Sequence, residues 1–228
     1  AALAAGSDIS LQFQNNPRIS IVVNANQLGA LASNGGLVQA NGGQVMLNAG
    51  ATNSILSAAV NNSGTLLAKS TVTQKGKITL SANGTNSKLE LLAGSKLDAS
   101  AQGNAQGGDI ETLASIIQVD SSAQVDTKSD TGAWGNWSII QNNPNQTGSE
   151  ANISSIFMGN ALGDSLNSSN ITLVTKKDIA VDMPLTWGAA TKLTLSADDS
   201  IYIKKSITAN NSLGSLALKY GQGSSNGS

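Results

Sequence analysis

The chain has 228 residues with no cysteine and no histidine, and its 13 Lys+Arg against 14 Asp+Glu give a formal net charge of −1. Those counts exclude disulfides, thiolate metal sites and every histidine-based catalytic design. They also leave no basic face to neutralise a phosphate backbone, because the cations are almost all lysine and Arg18 is the single arginine, so nucleic acid is not an expected partner.

The apolar residues are mostly Ala, Val, Ile and Leu with few aromatics, which predicts a narrow, layered core. Asn, Ser, Thr and Gln supply most of the polarity, a mixture that favours turns and stacked polar ladders. No apolar run approaches the roughly 20 residues that span a bilayer. The start at Ala1-Ala2-Leu3-Ala4-Ala5 lacks Met and a cationic leader, and reads as a mature segment whose export signal has been removed. The absence of cysteine has two readings: chance composition, or the need of a long exported chain to cross a periplasm unfolded without forming disulfides.

Along the chain, the first clear strand is Gln44-Val45-Met46-Leu47-Asn48-Ala49, echoed by Lys77-Ile78-Thr79-Leu80-Ser81-Ala82, while Gly108-Asp109-Ile110 opens a third turn. Companion strands follow at 88–91, 96–99, 116–119 and 124–126. From Ser129 to Gly163 the alternation lapses, and Trp134, Trp137, Pro144 and Phe157 gather there, which predicts an excursion protruding from the repeat. The pattern then resumes at its clearest. Asn170-Ile171-Thr172-Leu173, Lys192-Leu193-Thr194-Leu195 and Ser215-Leu216-Ala217-Leu218 return after about 22 residues each time. Between them, Asp178-Ile179-Ala180-Val181 matches Ser200-Ile201-Tyr202-Ile203, and Leu185 matches Ile207.

Units of about three short strands suit an antiparallel sandwich or a parallel coil. A sandwich needs hairpins and large aromatics, yet Asn34-Gly35 and Asn83-Gly84 lead into polar segments that do not continue as paired strands. A coil instead buries small and branched aliphatics in a thin cylinder, each rung bonded to the next about 4.8 Å above. The fold class expected is all-β, a parallel β-helix over 1–228 with roughly ten rungs, about 50 Å long at that spacing. The polar tail at 221–228 reads as a linker or a cut within the repeat.

The passage from Leu37-Val38-Gln39-Ala40-Asn41-Gly42-Gly43 through Ala49 resembles the strand-turn-strand signature of the two-partner-secretion exoproteins, the filamentous haemagglutinin and high-molecular-weight adhesin group. So does Gln102-Gly103-Asn104-Ala105-Gln106-Gly107-Gly108-Asp109-Ile110. The run from Asp178 to Trp187 and on through Leu193-Thr194-Leu195-Ser196-Ala197 is similar to the same group's recurrent block. The resemblance implies a right-handed β-helix, export through an outer-membrane partner transporter, and a place at the bacterial surface in adhesion or toxin presentation. Two departures stand out. Gln141-Asn142-Asn143-Pro144 replaces the acidic and aromatic residues expected after Trp137-Ser138-Ile139-Ile140, and Asn15-Asn16-Pro17-Arg18 is only a loose match to the group's secretion-domain signature.

No catalytic, cofactor or metal set emerges, and the chain is expected not to be an enzyme. Asp198-Asp199 is the one adjacent carboxylate pair, and Asp120, Asp126 and Asp130 fall at strand ends, where turn roles are the default. Thr71-Val72-Thr73 is not repeated at rung spacing, against an ice-binding array. Sequons occur at Asn61, Asn83, Asn136, Asn145, Asn152, Asn167, Asn170 and Asn210, and the resemblance makes them candidate glycosylation sites. Trp134 and Trp137 either anchor a partner, sugar or protein, or fold back as a cap over the wall. The expected function is a stalk or adhesive segment contacting a host cell-surface or matrix receptor. Alternatives are capture of a haem carrier through the 129–163 segment, the stalk of a contact-dependent toxin and, with least support, a polysaccharide lyase.

Overall fold

Alternation of apolar with polar residues sends every second side chain to one face of a strand, so strands that repeat the same alternation can stack like on like. In the computed structural model, which describes residues 1–5, 8–13, 19–24, 30–50, 58–142 and 150–223, they do so in parallel. The longest sheet runs Ala2–Ala5, Gln44–Gly50, Lys77–Asn83, Asp109–Ala114, Asn136–Gln141, Asn170–Thr175, Lys192–Ala197 and Ser215–Lys219. A second sheet stacks Ala30–Asn34, Ala58–Asn62, Lys88–Leu91 and Ile116–Val119, and a third stacks Leu37–Gln39, Thr65–Leu67, Lys96–Asp98 and Gln124–Asp126. The chain visits the three in turn and returns to the first, an arrangement compatible with a parallel β-solenoid. The Asn15-Asn16-Pro17-Arg18 match, Asn145 and residues 224–228 of the tail lie outside the described residues.

Register turns the repeat into columns. In the long sheet Val45, Ile78, Ile110, Trp137, Ile171, Leu193 and Leu216 lie one over another. Beside them run Leu3, Leu47, Leu80, Thr112, Ile139, Leu173, Leu195 and Leu218. The second sheet adds Ala32, Val60, Leu89 and Ile117, and the third Val38, Leu66, Leu97 and Val125. Burying each Val, Leu or Ile contributes about 1.5–3 kcal/mol, so the columns are the main source of cohesion. At the last strand they lose their cover: Leu216 and Leu218 are 40% and 43% exposed above fully buried Leu193 and Leu195.

Corners obey two local rules. Polar side chains that turn inward bond along the stack: the buried Asn34 donates from Nδ2 to Asn62 Oδ1 at 2.8 Å, and Asn62 donates in turn to Ser95 Oγ at 3.0 Å. Where the coil swings back to the long sheet the backbone is packed so closely that a Cβ at Gly76 would collide with the Ala68 carbonyl oxygen, just past the third sheet, and one at Gly135 with that of Gly108 in the neighbouring rung. Coil length varies at these corners. Asn34 meets Asn62 28 residues on, whereas Asn170 meets Lys192 after 22. Coils longer than those that follow Asn170, from Gln44 to Lys77 and from Asn136 to Asn170 among them, are why the sheet holds eight strands among the described residues rather than the larger number expected. The one antiparallel pairing among the described strands, Asp8–Phe13 with Ile19–Asn24, lies against Ala2–Ala5 and Gln44–Gly50, and no repeat signal announces it.

The excursion expected over 129–163 is corrected for residues 129–142 and 150–163; residues 143–149 lie outside the described residues. Asn136–Gln141 pairs in parallel with Asp109–Ala114 on one side and Asn170–Thr175 on the other. Glu150–Asn152 pairs with Asp178–Val181, which pairs with Ile201–Ile203, and Leu185–Trp187 pairs with Ile207–Ala209. Between these and the earlier sheets stand two short helices, α1 (Ile153–Ile156) and α2 (Ala161–Leu166), which bury Ile153, Ile156, Ala161, Leu162 and Leu166. Phe157 bridges to Val119 and meets Trp137 edge-on, ring centroids 6.0 Å apart. Helical filling of the second and third sheets hides the alternation without removing the rung. At the other end, the tail's first residues are held: Gly221 N–H donates to Asp199 O at 2.7 Å and Gly223 N–H to Asp198 O at 2.9 Å.

Candidate functional site

The two tryptophans expected to act together are separated by one wall. Trp137 is 0% exposed and its indole N–H donates to Thr112 Oγ1 at 3.2 Å, so it is a core residue and the partner-contact expectation is corrected for it. Trp134 sits outside on the corner, half-buried, donating from Nε1 to Ser129 O at 3.1 Å. The Lys128 ammonium lies 5.8 Å from the centre of its ring, a cation–π contact that fixes the lysine over the indole. The corner itself is a stack of loops: Thr131 Oγ1 donates to Gly103 O at 2.8 Å and Gly103 N–H to Asp130 Oδ2 at 3.0 Å.

Beside Lys128 the third sheet is interrupted. Gln124–Asp126 pairs with Lys96–Asp98, but α2 stands on its other side and cannot continue the ladder. Ser168 closes part of the seam, donating from Oγ to Val125 O at 2.5 Å and accepting the Thr127 N–H at 3.1 Å. What remains is a groove of about 250 Å³. Lys96, Gln124, Asp126 and Lys128 line its strand side, and Asp164, Ser165 and Ser168 its helix side. Ser165 is 3% exposed and its hydroxyl has no hydrogen-bond partner in the protein; the buried hydroxyls of Thr127 and Ser169, which flank the same seam in sequence, are likewise unpartnered. A buried polar group left unpaired costs about 1–3 kcal/mol; of the three residues, Ser165 is the one that lines the groove.

The carboxylates serve turns and ion pairs. Asp198 and Asp199 face Lys176 and Lys177 of the preceding rung at 3.4 and 3.8 Å. Ser122 hydrogen-bonds to Asp120 through its hydroxyl and its amide, and holds that carboxyl below its usual range. Asp126 accepts the Lys128 N–H at 2.9 Å. Among the described residues no group of three or more His, Cys, Asp or Glu could hold a metal ion, and no helix is long and apolar enough to cross a membrane.

The sequons differ in access. Asn167 and Asn210 are exposed, whereas Asn61, Asn83, Asn136, Asn152 and Asn170 are half-buried. Asn170 commits its amide nitrogen to Gly135 O at 3.0 Å and its oxygen to Lys192 N–H at 2.9 Å, and Asn83 donates to Asn48 Oδ1 at 3.3 Å. A sugar on either nitrogen would break these links. The groove residues Gln124, Lys128, Asp164, Ser165 and Ser168 carry no motif. Their one signal is the change of period at Ala161-Leu162-Gly163-Asp164-Ser165-Leu166, where adjacent Ala161 and Leu162 and then Leu166 suit a buried helix face rather than a strand. No family model, curated protein or solved structure matches this chain.

Proposed function

We propose that the chain is a section of a right-handed parallel β-helix that serves as the stalk or adhesive shaft of a secreted bacterial surface exoprotein, exported by an outer-membrane partner transporter. The observation that carries this reading is the unbroken column from Val45 to Leu216 across the long parallel sheet. A stack of this kind spreads load over every rung through backbone hydrogen bonds and needs no disulfide, which suits a cysteine-free shaft. It holds a distal tip, adhesive or toxic, at a fixed distance from the cell, or meets a host receptor, protein or glycan, along its length. Capture of a haem carrier through 129–163 is less favoured, because the described part of that segment is built into the walls.

Protease treatment of intact producing cells tests this. Peptides from 170–223 should be released into the medium without lysis, and deletion of the partner transporter should abolish the release. Peptides recovered only after lysis would sink the reading.

A further inference from the structure

We infer that the rung carrying α1 and α2 is a hinge, at which the second and third sheets part from the helices while the long sheet stays joined. The inference concerns how the stack moves and rests on its topology, so it goes beyond the stalk reading and does not depend on it.

Three observations carry it. First, the boundary before this rung is joined on three sides: Asp109–Ala114 pairs with Lys77–Asn83, Ile116–Val119 with Lys88–Leu91 and Gln124–Asp126 with Lys96–Asp98. On the other edge of those strands only the long sheet goes on, Asp109–Ala114 pairing with Asn136–Gln141 along its whole length. Across the other two sides the backbone bonds among the described residues are Met158 N–H to Val119 O at 2.9 Å and Thr127 N–H to Ser168 O at 3.1 Å, with the Ser168 hydroxyl adding a tie to Val125 O. Second, unpaired polar groups collect here. Of the buried side-chain atoms that lack a hydrogen bond among the described residues, Ser165 is on α2, Thr127 and Ser169 stand at the Thr127–Ser168 link, Trp187 is on the strand packed against α2 and Gln141 ends the long-sheet strand of the rung; Asn61 alone lies elsewhere. Hydroxyls at the seam gain hydrogen bonds when water enters, which offsets part of the loss on opening. Third, the groove of about 250 Å³ separates Gln124–Asp126 from α2, so part of this side is out of contact already. Buried Phe157, Leu162 and Leu166 close the rest and make the open form the minor one. Opening swings the two blocks about Asn136–Gln141.

The test is amide hydrogen exchange on the whole 228-residue chain, read by NMR. Corrected for intrinsic rates, Thr127 and Met158 should exchange about tenfold or more faster than Ile139 and Ile171 of the long sheet, and with protection that matches between the two. Ser168→Ala removes the tie to Val125 and should lower the protection of Thr127 and Met158 together by severalfold, leaving Ile139 and Ile171 unmoved. Met158 is the deciding probe, since it bonds to the second sheet and Ser168 to the third, so a local fray at the substitution would leave it alone. Because the chain has no cysteine, paired spin labels give a second measure in the parent background. Gln39→Cys with Thr186→Cys, both exposed, spans the seam on the third-sheet side. Gln44→Cys with Lys192→Cys spans the same rung within one long-sheet column. The first pair should give the broader distance distribution. The inference is overturned if Thr127 and Met158 are as protected as Ile139, if Ser168→Ala moves Thr127 without Met158 or moves all four amides alike, or if both label pairs give equally narrow distributions. None of those results touches the stalk reading, which stands or falls on surface display.

Discussion

The rung that begins at Asn136 and the one that begins at Asn170 share a long-sheet strand and then part. After Asn170–Thr175 come Asp178–Val181 and Leu185–Trp187, each with a parallel strand following it in the stack. After Asn136–Gln141, Glu150–Asn152 is the one strand among the described residues before α1 and α2. Each rung buries one tryptophan, but in different company. Trp137 lies between Ile110 and Ile171 with its N–H bonded to Thr112, whereas Trp187 has only Ala209 beyond it and an N–H without a partner. Continuity of one sheet is therefore enough to carry the stack past a rung whose other walls are helical, and the break those helices leave is where the groove opens.

The sharpest way to break this comparison is to truncate both indoles. Trp137→Ala should cost about 3–5 kcal/mol, because neighbours on both sides of the column cannot close the void. Trp187→Ala should cost less, since its buried N–H is unpartnered and its removal relieves a penalty that Trp137, bonded to Thr112, does not carry. Urea unfolding followed by circular dichroism measures both, and equal losses would remove the argument from the unpaired N–H. A smaller effect probes the same rung. Thr112 occupies a position held by leucine or isoleucine elsewhere in its column, and its reason is the indole. Thr112→Val should cost about 1–3 kcal/mol in the parent and near zero beside Trp137→Phe, a coupling that a double-mutant cycle reads directly.

That threonine also shows where the sequence is legible and where it is not. Period-2 alternation was sufficient to place 170–173, 192–195 and 215–218 in one stacked set and to match 44–49 with 77–82, because every inward position sees the same environment on each rung. It is insufficient where a wall changes element. Trp137-Ser138-Ile139 keeps the alternation, yet Ile153, Ile156, Ala161 and Leu162 follow helical spacing, and an aromatic in an otherwise aliphatic column looks like an exposed anchor until Thr112 is seen beneath it. The groove was illegible for the same reason. Its residues meet only because α2 displaces a strand, and no local pattern in Gln124, Lys128 or Ser165 encodes that meeting.

The smallest expected effect concerns how α1 is held to the regular rung above it. Its first turn is tied by Asp182, whose carboxylate accepts the Ser154 N–H at 3.0 Å and the Ser154 hydroxyl. Partial burial pushes the Asp182 carboxyl up, but the two Ser154 hydrogen bonds, its own backbone N–H and the positive charge of Lys204 outweigh it and leave the group below its usual range. A carboxyl lowered in the folded state binds protons more weakly there than in the unfolded chain. Its contribution is therefore complete above the ordinary aspartate pKa of about 4 and fades as pH falls through the lower native value. Carbon-13 titration of the Asp182 carboxyl should show a midpoint under about 4, with protection of the Ser154 amide lost over the same interval. Asp182→Asn should weaken that protection at neutral pH and abolish its acid dependence. A midpoint at or above the ordinary value would mean that α1 stays in place through Ile153, Ile156 and Phe157 alone, and that the helical rung is secured by its core and not by the strand that follows it.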